Sequence, residues 1–358
     1  MKITDVKMTA FSLGKRPRPS SDATYTETEW RFSMVEVFTD EGIVGMCPGA
    51  RSRELTEGPL RDMLLGEDPL NIERLWRKMY SGWCHPASAG DAVRAMSRID
   101  IALWDIIGKA LGQPVYRLLG GDRDRVPAYA AGGYYEPGKT IEDLQKEMTG
   151  YLSMGYDTVK MKVGRLSLEE DAERVAAVRE AIGEDAKLMV DGNHAWTPYQ
   201  AIMFGRMIEE CNPYWLEEPV PATDYEGGAE VCAALDIPVA TGENEYLRWG
   251  FRDLVKHRAA DIIQADPGVC GGYTEWRKIA AIATAANIPL APHGHGNIGA
   301  HAVASIPEGL TVETYPTHNG PMGEIIALFP IEKGEIVLPQ EPGMGWKVDR
   351  AALKKYAR

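Results

Sequence analysis

The chain has 358 residues, which is enough for one large domain or for two. Its net charge of -13 argues against nucleic acid as a partner, because phosphate binding needs a basic face. The same charge would repel an acidic substrate unless local positive charge, such as a metal ion with nearby lysines, attracts it.

The cysteine pattern and the absence of targeting signals predict the compartment. Five cysteines are scattered without a CxxC motif, so we expect neither disulfides nor a zinc site. The first residues lead straight into a strand pattern, and no apolar run approaches the roughly 20 residues of a membrane span. We therefore expect a cytoplasmic protein without a membrane partner.

The N-terminal region predicts an α+β fold. Its alternating segments indicate a small antiparallel meander, with strands at 2–12, 31–38 and 43–46. The polar segment 14–29 between the first two is predicted to be a long loop, either mobile or acting as a lid over an acidic substrate. Helical periodicity follows at 54–66, 71–82 and 88–112.

From Val126 onwards, short apolar runs alternate with amphipathic helices. The strands are predicted at 126–132, 157–163, 187–191, 213–217, 237–242, 261–265, 288–292 and 310–314. The helices are predicted at 140–153, 168–182, 197–211, 225–235, 246–257, 273–286 and 296–306. This alternation predicts a parallel TIM-type barrel, complete or without its last helix. A doubly wound open sheet is the alternative, but its usual GxGxxG turn is missing.

These patterns divide the chain into three parts. We expect an N-terminal α+β capping domain over residues 1–122 and a catalytic barrel over residues 123–320. After the eighth strand the alternation stops, with a possible strand at 335–338 and a short helix at 350–357. We expect this tail, residues 321–358, to return to the capping domain.

Three acids follow the ends of successive predicted strands. Asp191, Glu217 and Glu243 are spaced 26 residues apart, which is about one strand, one helix and two loops. The carboxyl ends of parallel strands meet at one face of a barrel, so the three carboxylates should converge there. Hard oxygen ligands favour a hard cation, and Mg²⁺ first. The alternative for each acid is a helix cap or an arginine partner.

Two lysines precede the first of these acids on a neighbouring strand. Side chains alternate along a strand, so Lys160 and Lys162 should point the same way, into the barrel mouth. We expect them to lower each other's pKa, which would let one take a proton from carbon. The alternative is a pair of surface lysines on an edge strand.

An acid, a histidine and a further acid follow the last predicted strands. Asp266 and His293 are 27 residues apart and could hydrogen-bond, with the carboxylate raising the basicity of the imidazole. His295 could take the place of His293. Glu313 on the eighth strand could hydrogen-bond a substrate carboxylate or enolate if it is protonated. The alternatives are an ordinary loop histidine and a capping acid.

A lysine and a histidine–aspartate pair on opposite sides of a carboxylate-bound metal suit abstraction of a proton α to a carboxylate. Taken together, the chain resembles the enolase superfamily, mandelate racemase subgroup, over nearly its whole length. The motifs that carry the resemblance are Lys160-x-Lys162, Asp191-x-Asn193, Trp215-Leu216-Glu217-Glu218-Pro219, Gly242-Glu243, Asp266 with Cys270-Gly271-Gly272, Pro292-His293 and Glu313.

The resemblance implies an α+β capping domain over a (β/α)7β barrel, and a homo-oligomer. It implies Mg²⁺ held by Asp191, Glu217 and Glu243, and a Lys or His base beside the metal. Lys162 would be the base on one face with Lys160 tuning it, and His293, backed by Asp266, would serve the other face. Asn193 would touch the substrate hydroxyl, and Glu313 would touch its carboxylate or enolate.

We therefore expect a Mg²⁺-dependent dehydratase of small acid sugars, aldonates or aldarates, that forms 2-keto-3-deoxy acids. The polar residues near the predicted mouth suit a hydroxylated substrate: Tyr134, Asn193, His194 and His295. The same site could serve a racemase or epimerase, or a cycloisomerase of sugar lactones or anhydro sugars. A catalytically idle barrel used for binding is a further alternative.

Overall fold

The capping sheet of the computed structural model has three antiparallel strands, β1 (Ile3–Ser21), β2 (Thr26–Thr39) and β3 (Val44–Pro48). The structure describes residues 1–85, 89–318 and 320–356. Ser88, at the start of the predicted helix 88–112, and Ala357, at the end of the predicted helix 350–357, lie outside the described residues.

The prediction of a long loop at 14–29 is wrong. The segment is the outer half of a β-hairpin, in which Lys15 pairs with Glu29 across irregular register shifts. An ion pair between Arg16 and Glu27 adds a cross-strand contact where apolar alternation is absent. The hairpin tip docks on the barrel, since Ser21 and Tyr135 exchange backbone hydrogen bonds of 2.9 Å.

The capping helices are shorter and more broken than the periodicity predicts. They are α1 (Arg53–Leu55), a π-helical turn (Thr56–Leu60), α2 (Arg61–Leu64), α3 (Ile72–Met79), a second π-helical turn (Tyr80–Cys84), α4 (Gly90–Leu111) and α5 (Val115–Leu119). The first break lies at Gly58, which has non-helical dihedral angles, and Pro59, which has no amide hydrogen to donate. The long helix α4 ends at Gly112 in a left-handed conformation.

The barrel confirms the predicted fold class. Its parallel strands are β4 (Arg125–Gly132), β5 (Thr158–Lys162), β6 (Lys187–Asp191), β7 (Trp215–Glu217), β8 (Val239–Thr241), β9 (Ile262–Ile263) and β10 (Val312–Thr314). Strands β4 to β9 pair in chain order, and β10 pairs with β4. This pairing closes the sheet, so the doubly wound alternative is wrong.

The predicted seventh strand, 288–292, is reduced to single-residue bridging at Leu290. Leu290 bridges Ile263 on one side and Gly309 on the other, which keeps the barrel continuous. Pro289 and Pro292 flank it and cannot donate to a ladder, so a longer strand does not form.

The barrel helices follow the predicted order. They are α6 (Ile141–Ser153), α7 (Leu168–Ile182), α8 (Pro198–Ile208) with a short 3₁₀ turn (Glu209–Cys211), α9 (Tyr225–Ala234), α10 (Leu247–His257), α11 (Tyr273–Ala285) and α12 (Gly296–Val303). Helices α6, α7 and α8 each begin at a capping box, led by Thr140, Ser167 and Thr197.

The C-terminal segment contains α13 (Met322–Ile325), β11 (Ile331–Glu332), β12 (Glu335–Val337) and α14 (Arg350–Tyr356). Strand β12 pairs antiparallel with β4 of the barrel. Helices α13 and α14 instead pack on the capping sheet, where Ile325 joins a core with Phe32 and Met34. The tail thus contacts both parts of the molecule.

Buried contacts fix the cap on the barrel and so place the cap over the strand ends. The indole of Trp104 on α4 donates to Thr274 Oγ1 at 3.0 Å, and Asp100 accepts from the Thr274 amide at 3.0 Å. The Trp76 indole donates to the Gly271 carbonyl at 2.7 Å. All five cysteines are free. No helix within residues 1–85, 89–318 and 320–356 is long and apolar enough to cross a membrane.

Candidate active site

The three predicted metal-ligating acids lie at the ends of consecutive strands. Asp191 ends β6 and Glu217 ends β7, and the strand register places them side by side. Glu243 follows β8 by two residues. Asp191 and Glu217 are fully buried, which is rare for carboxylates and needs nearby positive charge or hydrogen-bond donors.

Both predicted lysines point into the same carboxylate cluster, so the edge-strand alternative is wrong. Lys162 Nζ lies 2.5 Å from Asp191 Oδ2. Lys160 Nζ lies 2.5 Å from Glu217 Oε1, 2.7 Å from Glu313 Oε1 and 3.3 Å from Asp191 Oδ2. Lys160 is one layer deeper in the barrel, because its partner on β6 is Met189 rather than Asp191.

Lys160 acts to lower the pKa of Lys162, as the sequence predicts, but the net pKa of each lysine is raised. Burial does act to lower the pKa of both amines, but the carboxylates outweigh it and raise the pKa of each. Asp191 is the largest raising influence on Lys162, and Glu217 is the largest on Lys160. The short distances from the lysines to the acids, which the sequence does not give, decide the direction of the net shift.

The acids show the complementary shifts. Burial, with neighbouring carboxylates, raises the pKa of Glu217 to about 8 and that of Glu243 to about 7. Burial also opposes ionisation of Asp191, yet Lys162 and Lys160 hold the pKa of that carboxyl below its usual value. The negative charge of the carboxylates in this cluster therefore exceeds the positive charge of its two lysines.

We tested whether these residues fit a divalent cation. In the part of the chain that the structure describes, no three His, Cys, Asp or Glu side chains are close enough to hold a metal ion as they stand. However, Glu243 Oε2 and Asn193 Oδ1 are buried without a hydrogen-bond partner. Asn193 follows the end of β6, and Glu243 follows the end of β8. Paired carboxylates with unsatisfied hard oxygens fit Mg²⁺, provided that the lysine amines give way. The ligand assignment stays a prediction.

His293 lies on the other side of the barrel mouth from Lys162. Its Nδ1 is 3.3 Å from Asp266 Oδ2, and its Nε2 is 3.4 Å from Glu243 Oε2. Burial acts to lower the pKa of the imidazole, but Glu243, Glu313 and Asp266 together raise it to about 10. The raised basicity has the direction that the sequence predicts.

Two cationic side chains flank Glu313 and favour its ionised form. Burial acts to raise its pKa, but Lys160 and His293 hold it at about 2. Its Oε2 accepts from the Gly294 amide at 3.2 Å. A hydrogen bond from Glu313 to a substrate carboxylate or enolate requires the protonated form, so this role stays a prediction.

The remaining predicted substrate contacts are spread around the mouth. Asn193 is buried with a left-handed φ of 41°, and its amide oxygen has no hydrogen-bond partner among the described residues. Tyr134 lies under Lys162, with Nζ 5.4 Å from the ring centre, and stacks on His318. His295 packs edge-on against Trp346, and burial lowers its pKa to about 4. It does not contact Asp266 by hydrogen bond or ion pair among the described residues, so His293 is the better partner.

Two residues of the mouth, Tyr315 and Asn244, were not predicted from the sequence. Tyr315 places its hydroxyl 3.3 Å from His293 Nε2. His194, predicted as a polar mouth residue, is held by Glu218 at 2.9 Å, and Asn244 donates to both Glu218 and Glu243. Glu218 and Asn244 could have been found from the sequence, because each is a polar residue that directly follows a predicted metal ligand, Glu217 or Glu243.

Two family models match this chain. Residues 143–352 match the enolase C-terminal domain-like family, and residues 5–120 match the N-terminal domain of mandelate racemase and muconate lactonizing enzyme. The chain belongs to the mandelate racemase/muconate lactonizing enzyme family of the enolase superfamily. It is therefore an enolase-superfamily enzyme with a capping sheet and an enolase-type barrel.

Individual relatives point to acid-sugar chemistry. Arabinonate dehydratase of Saccharolobus solfataricus is 36% identical over 90% of this chain and 89% of its own length. D-galactarolactone cycloisomerase of Agrobacterium fabrum is 34% identical over 99% of both chains. The crystal structure of a racemase from Streptomyces coelicolor with bound magnesium matches at a TM-score of 0.92, with 30% identity and 99% coverage of both chains.

Proposed function

We propose that this enzyme is a Mg²⁺-dependent acid-sugar dehydratase. The observation that carries the proposal is the placement of two groups able to move protons on opposite sides of a carboxylate cluster. Lys162 ends β5, and His293 follows the bridge at Leu290. Strands β4 and β10 separate them on one side of the barrel, and β6 to β9 separate them on the other.

In the proposed reaction, the deprotonated form of either Lys162 or His293 removes the proton α to the substrate carboxylate, and the other group is protonated. The electron pair moves into an enolate and then expels the β-hydroxyl, which leaves as water after taking a proton from the opposite group. Tautomerisation of the resulting enol gives a 2-keto-3-deoxy acid. Magnesium, when bound by Asp191, Glu217 and Glu243, stabilises the negative charge that develops on the carboxylate oxygens.

The other residues of the mouth orient the substrate and the bases. Asp266 fixes the orientation of the His293 ring through Nδ1, which leaves Nε2 facing the site. Asn193 offers its unpaired oxygen to a substrate hydroxyl. Lys160, held among three carboxylates, keeps a fixed positive charge beneath the reacting carboxylate.

A cycloisomerase is the second candidate, favoured by the relative that acts on D-galactarolactone and matches over 99% of both chains. The same bases could move a proton while a ring bond, rather than a hydroxyl, breaks. A racemase or epimerase would use both bases and eliminate nothing.

Mass spectrometry of products from a library of aldonates, aldarates and their lactones, with Mg²⁺, separates these reactions. A dehydratase gives a semicarbazide-reactive product lighter than its substrate by one water. In D2O, an epimerase gives a product that has lost no water and is heavier by the one deuterium taken up at the α-carbon, and a cycloisomerase gives a ring-opened or ring-closed isomer. Absence of any dehydrated product across the library would contradict the proposal.

A further inference from the structure

A cavity of about 420 Å³ opens directly beside the proposed site. On the barrel side it is lined by Glu243, Asp266 and His293, and on the cap side by three arginines. We call Arg51, Arg94 and Arg98 the arginine wall. The volume is in the range of small-molecule sites and accommodates a six-carbon acid sugar.

The positions of the three arginines in the fold bring them to one side of the cavity. Arg94 and Arg98 are four residues apart on α4, so they share one face of that helix. Gly268 leaves the space that Arg98 fills, because a Cβ atom there would lie 2.1 Å from the guanidinium carbon. Arg51 follows the capping strand β3 by three residues and is exposed to the cavity.

None of the three guanidinium groups has a carboxylate partner among the residues that the structure describes. Arg94 donates to the neutral Tyr246 hydroxyl at 2.9 Å and to Asn244 Oδ1 at 3.1 Å. Arg98 donates to the Pro48 carbonyl at 3.2 Å, and its Nε is buried without a partner. The Arg51 side chain makes no hydrogen bond or ion pair in the described part of the chain.

The three guanidinium groups are close enough to repel one another. Burial and the charges of Arg94 and Arg98 lower the pKa of Arg51, which reports the mutual repulsion of the wall. Elsewhere the chain is strongly acidic, with a net charge of -13. Three cations at one wall of the active-site cavity, none of them in an ion pair with a carboxylate of the described residues, therefore create a local positive field that attracts and orients an anionic group.

We propose that the arginine wall binds a second carboxylate of the substrate, the one that does not react, and that the preferred substrate is an aldarate. The inference rests on the proposed function for the position of the reacting carboxylate near Lys160 and the acid cluster. A guanidinium group matches a carboxylate in a bidentate geometry. The neutral terminal hydroxymethyl group of an aldonate would leave the wall unpaired, so the wall selects against it.

The kinetic test compares a C6 aldarate with the aldonate of the same hydroxyl configuration, for the wild type and for Arg51→Gln. Because the Arg51 side chain has no protein partner, this substitution should leave the melting temperature unchanged. We expect the wild type to prefer the aldarate at least about tenfold, and Arg51→Gln to lower kcat/KM about 10–100-fold for the aldarate. The loss for the aldonate should be less than about threefold.

The matched control is Arg252→Gln. Arg252 is exposed on α10 and pairs with Asp253, so its loss should change neither substrate's kcat/KM. Equal turnover of the aldarate and the aldonate by the wild type would overturn the proposal. An equal loss for both substrates in Arg51→Gln would also overturn it, because the wall would then bind the reacting carboxylate.

Calorimetry with unreactive acids separates the wall from the reaction. Adipate and hexanoate lack the hydroxyl that would leave, and they differ in the second carboxylate. We expect the Mg²⁺-loaded wild type and Arg252→Gln to bind adipate at least about tenfold more tightly, and Arg51→Gln to lose that advantage. Preference for adipate without any dehydration in the library would support the wall and contradict the dehydratase. Equal binding of the two acids by the wild type would contradict the wall itself.

Discussion

Lys160 and Lys162 in the barrel mouth each contact a carboxylate at 2.5 Å, whereas the arginine wall lines the adjoining cavity without such a contact among the described residues. The two lysines are paired within the protein, and the wall leaves its charge for a ligand. Internal ion pairs hold reactive groups in position, but they reduce the field available to a substrate. The comparison suggests that the barrel supplies the chemistry and that the cap selects the substrate.

The largest effect should come from removing the proposed base. Lys162→Ala should lower turnover of the preferred acid sugar about 10²–10⁴-fold, because no other amine of the mouth lies at that position. Keto-acid formation under saturating substrate measures it. Lys146→Ala, on the exposed face of α6, is the control and should retain wild-type turnover. Turnover of Lys162→Ala within threefold of the wild type would show that Lys162 is not the base.

Removing one carboxylate from the acid cluster should weaken Mg²⁺ binding without lowering the stability of the fold. Glu243→Gln should lower Mg²⁺ affinity at least about 10–100-fold, since it removes a charged oxygen ligand. Titration calorimetry without substrate measures this directly. Glu226→Gln on α9 is a suitable control, because the Glu226 side chain is 82% exposed and does not line the active-site cavity. An unchanged Mg²⁺ affinity in Glu243→Gln would remove it from the ligand set.

A third change displaces one member of the arginine wall without altering its charge. Gly268→Ala places a methyl group where the Arg98 guanidinium lies, so the side chain must move. We expect about a tenfold loss in kcat/KM for an aldarate. Gly323→Ala is the matched control: Gly323 lines the same cavity, but its added Cβ meets open space. Equal effects of the two substitutions would show that Arg98 placement does not matter.

The smallest effect on turnover should come from a buried histidine without acidic neighbours. His301 accepts from the Tyr116 amide and donates to the Met344 carbonyl, and burial lowers its pKa to about 4. The folded state therefore binds fewer protons than the unfolded state between about pH 6.5 and 4, and stability should fall as pH falls through that window. The loss is about 3 kcal/mol by pH 4.

His301→Gln should reduce the loss of folding stability at acid pH, because glutamine can donate and accept hydrogen bonds without titrating. Urea unfolding at pH 7.5 and 4.5 measures the slope, and turnover at pH 7.5 should be little changed. His257→Gln, at the partly exposed C-terminal end of α10, should keep the wild-type slope. An identical pH dependence in the wild type and His301→Gln would show that His301 does not titrate as the buried environment requires.

The sequence predicted the barrel and its acid cluster because both depend on local periodicity. Strand ends of a parallel barrel share one face, so Asp191 and Glu217 had to be neighbours once their strands were recognised. The 14–29 hairpin could not be found this way. Its pairing depends on cross-strand contacts such as Arg16 with Glu27 and on docking to Tyr135, neither of which produces an alternating pattern.

The chemistry of the site was only partly accessible from the sequence. The direction of the Lys162 pKa depends on its distance to Asp191, which no spacing gives. The four-residue spacing of Arg94 and Arg98 is visible in the sequence, but the cavity that they face is set by how α4 docks on the barrel. The pKa of Lys162 and the position of the arginine wall therefore depend on tertiary distances that local sequence patterns do not give.

The most direct test of the account is a crystal structure of Lys162→Ala with Mg²⁺ and an aldarate. We predict a Mg²⁺ ion bound by Asp191, Glu217 and Glu243, one substrate carboxylate beside it, and the other against the arginine wall. A metal ion bound elsewhere, with these three carboxylates still paired only to protein groups, would contradict the central claim.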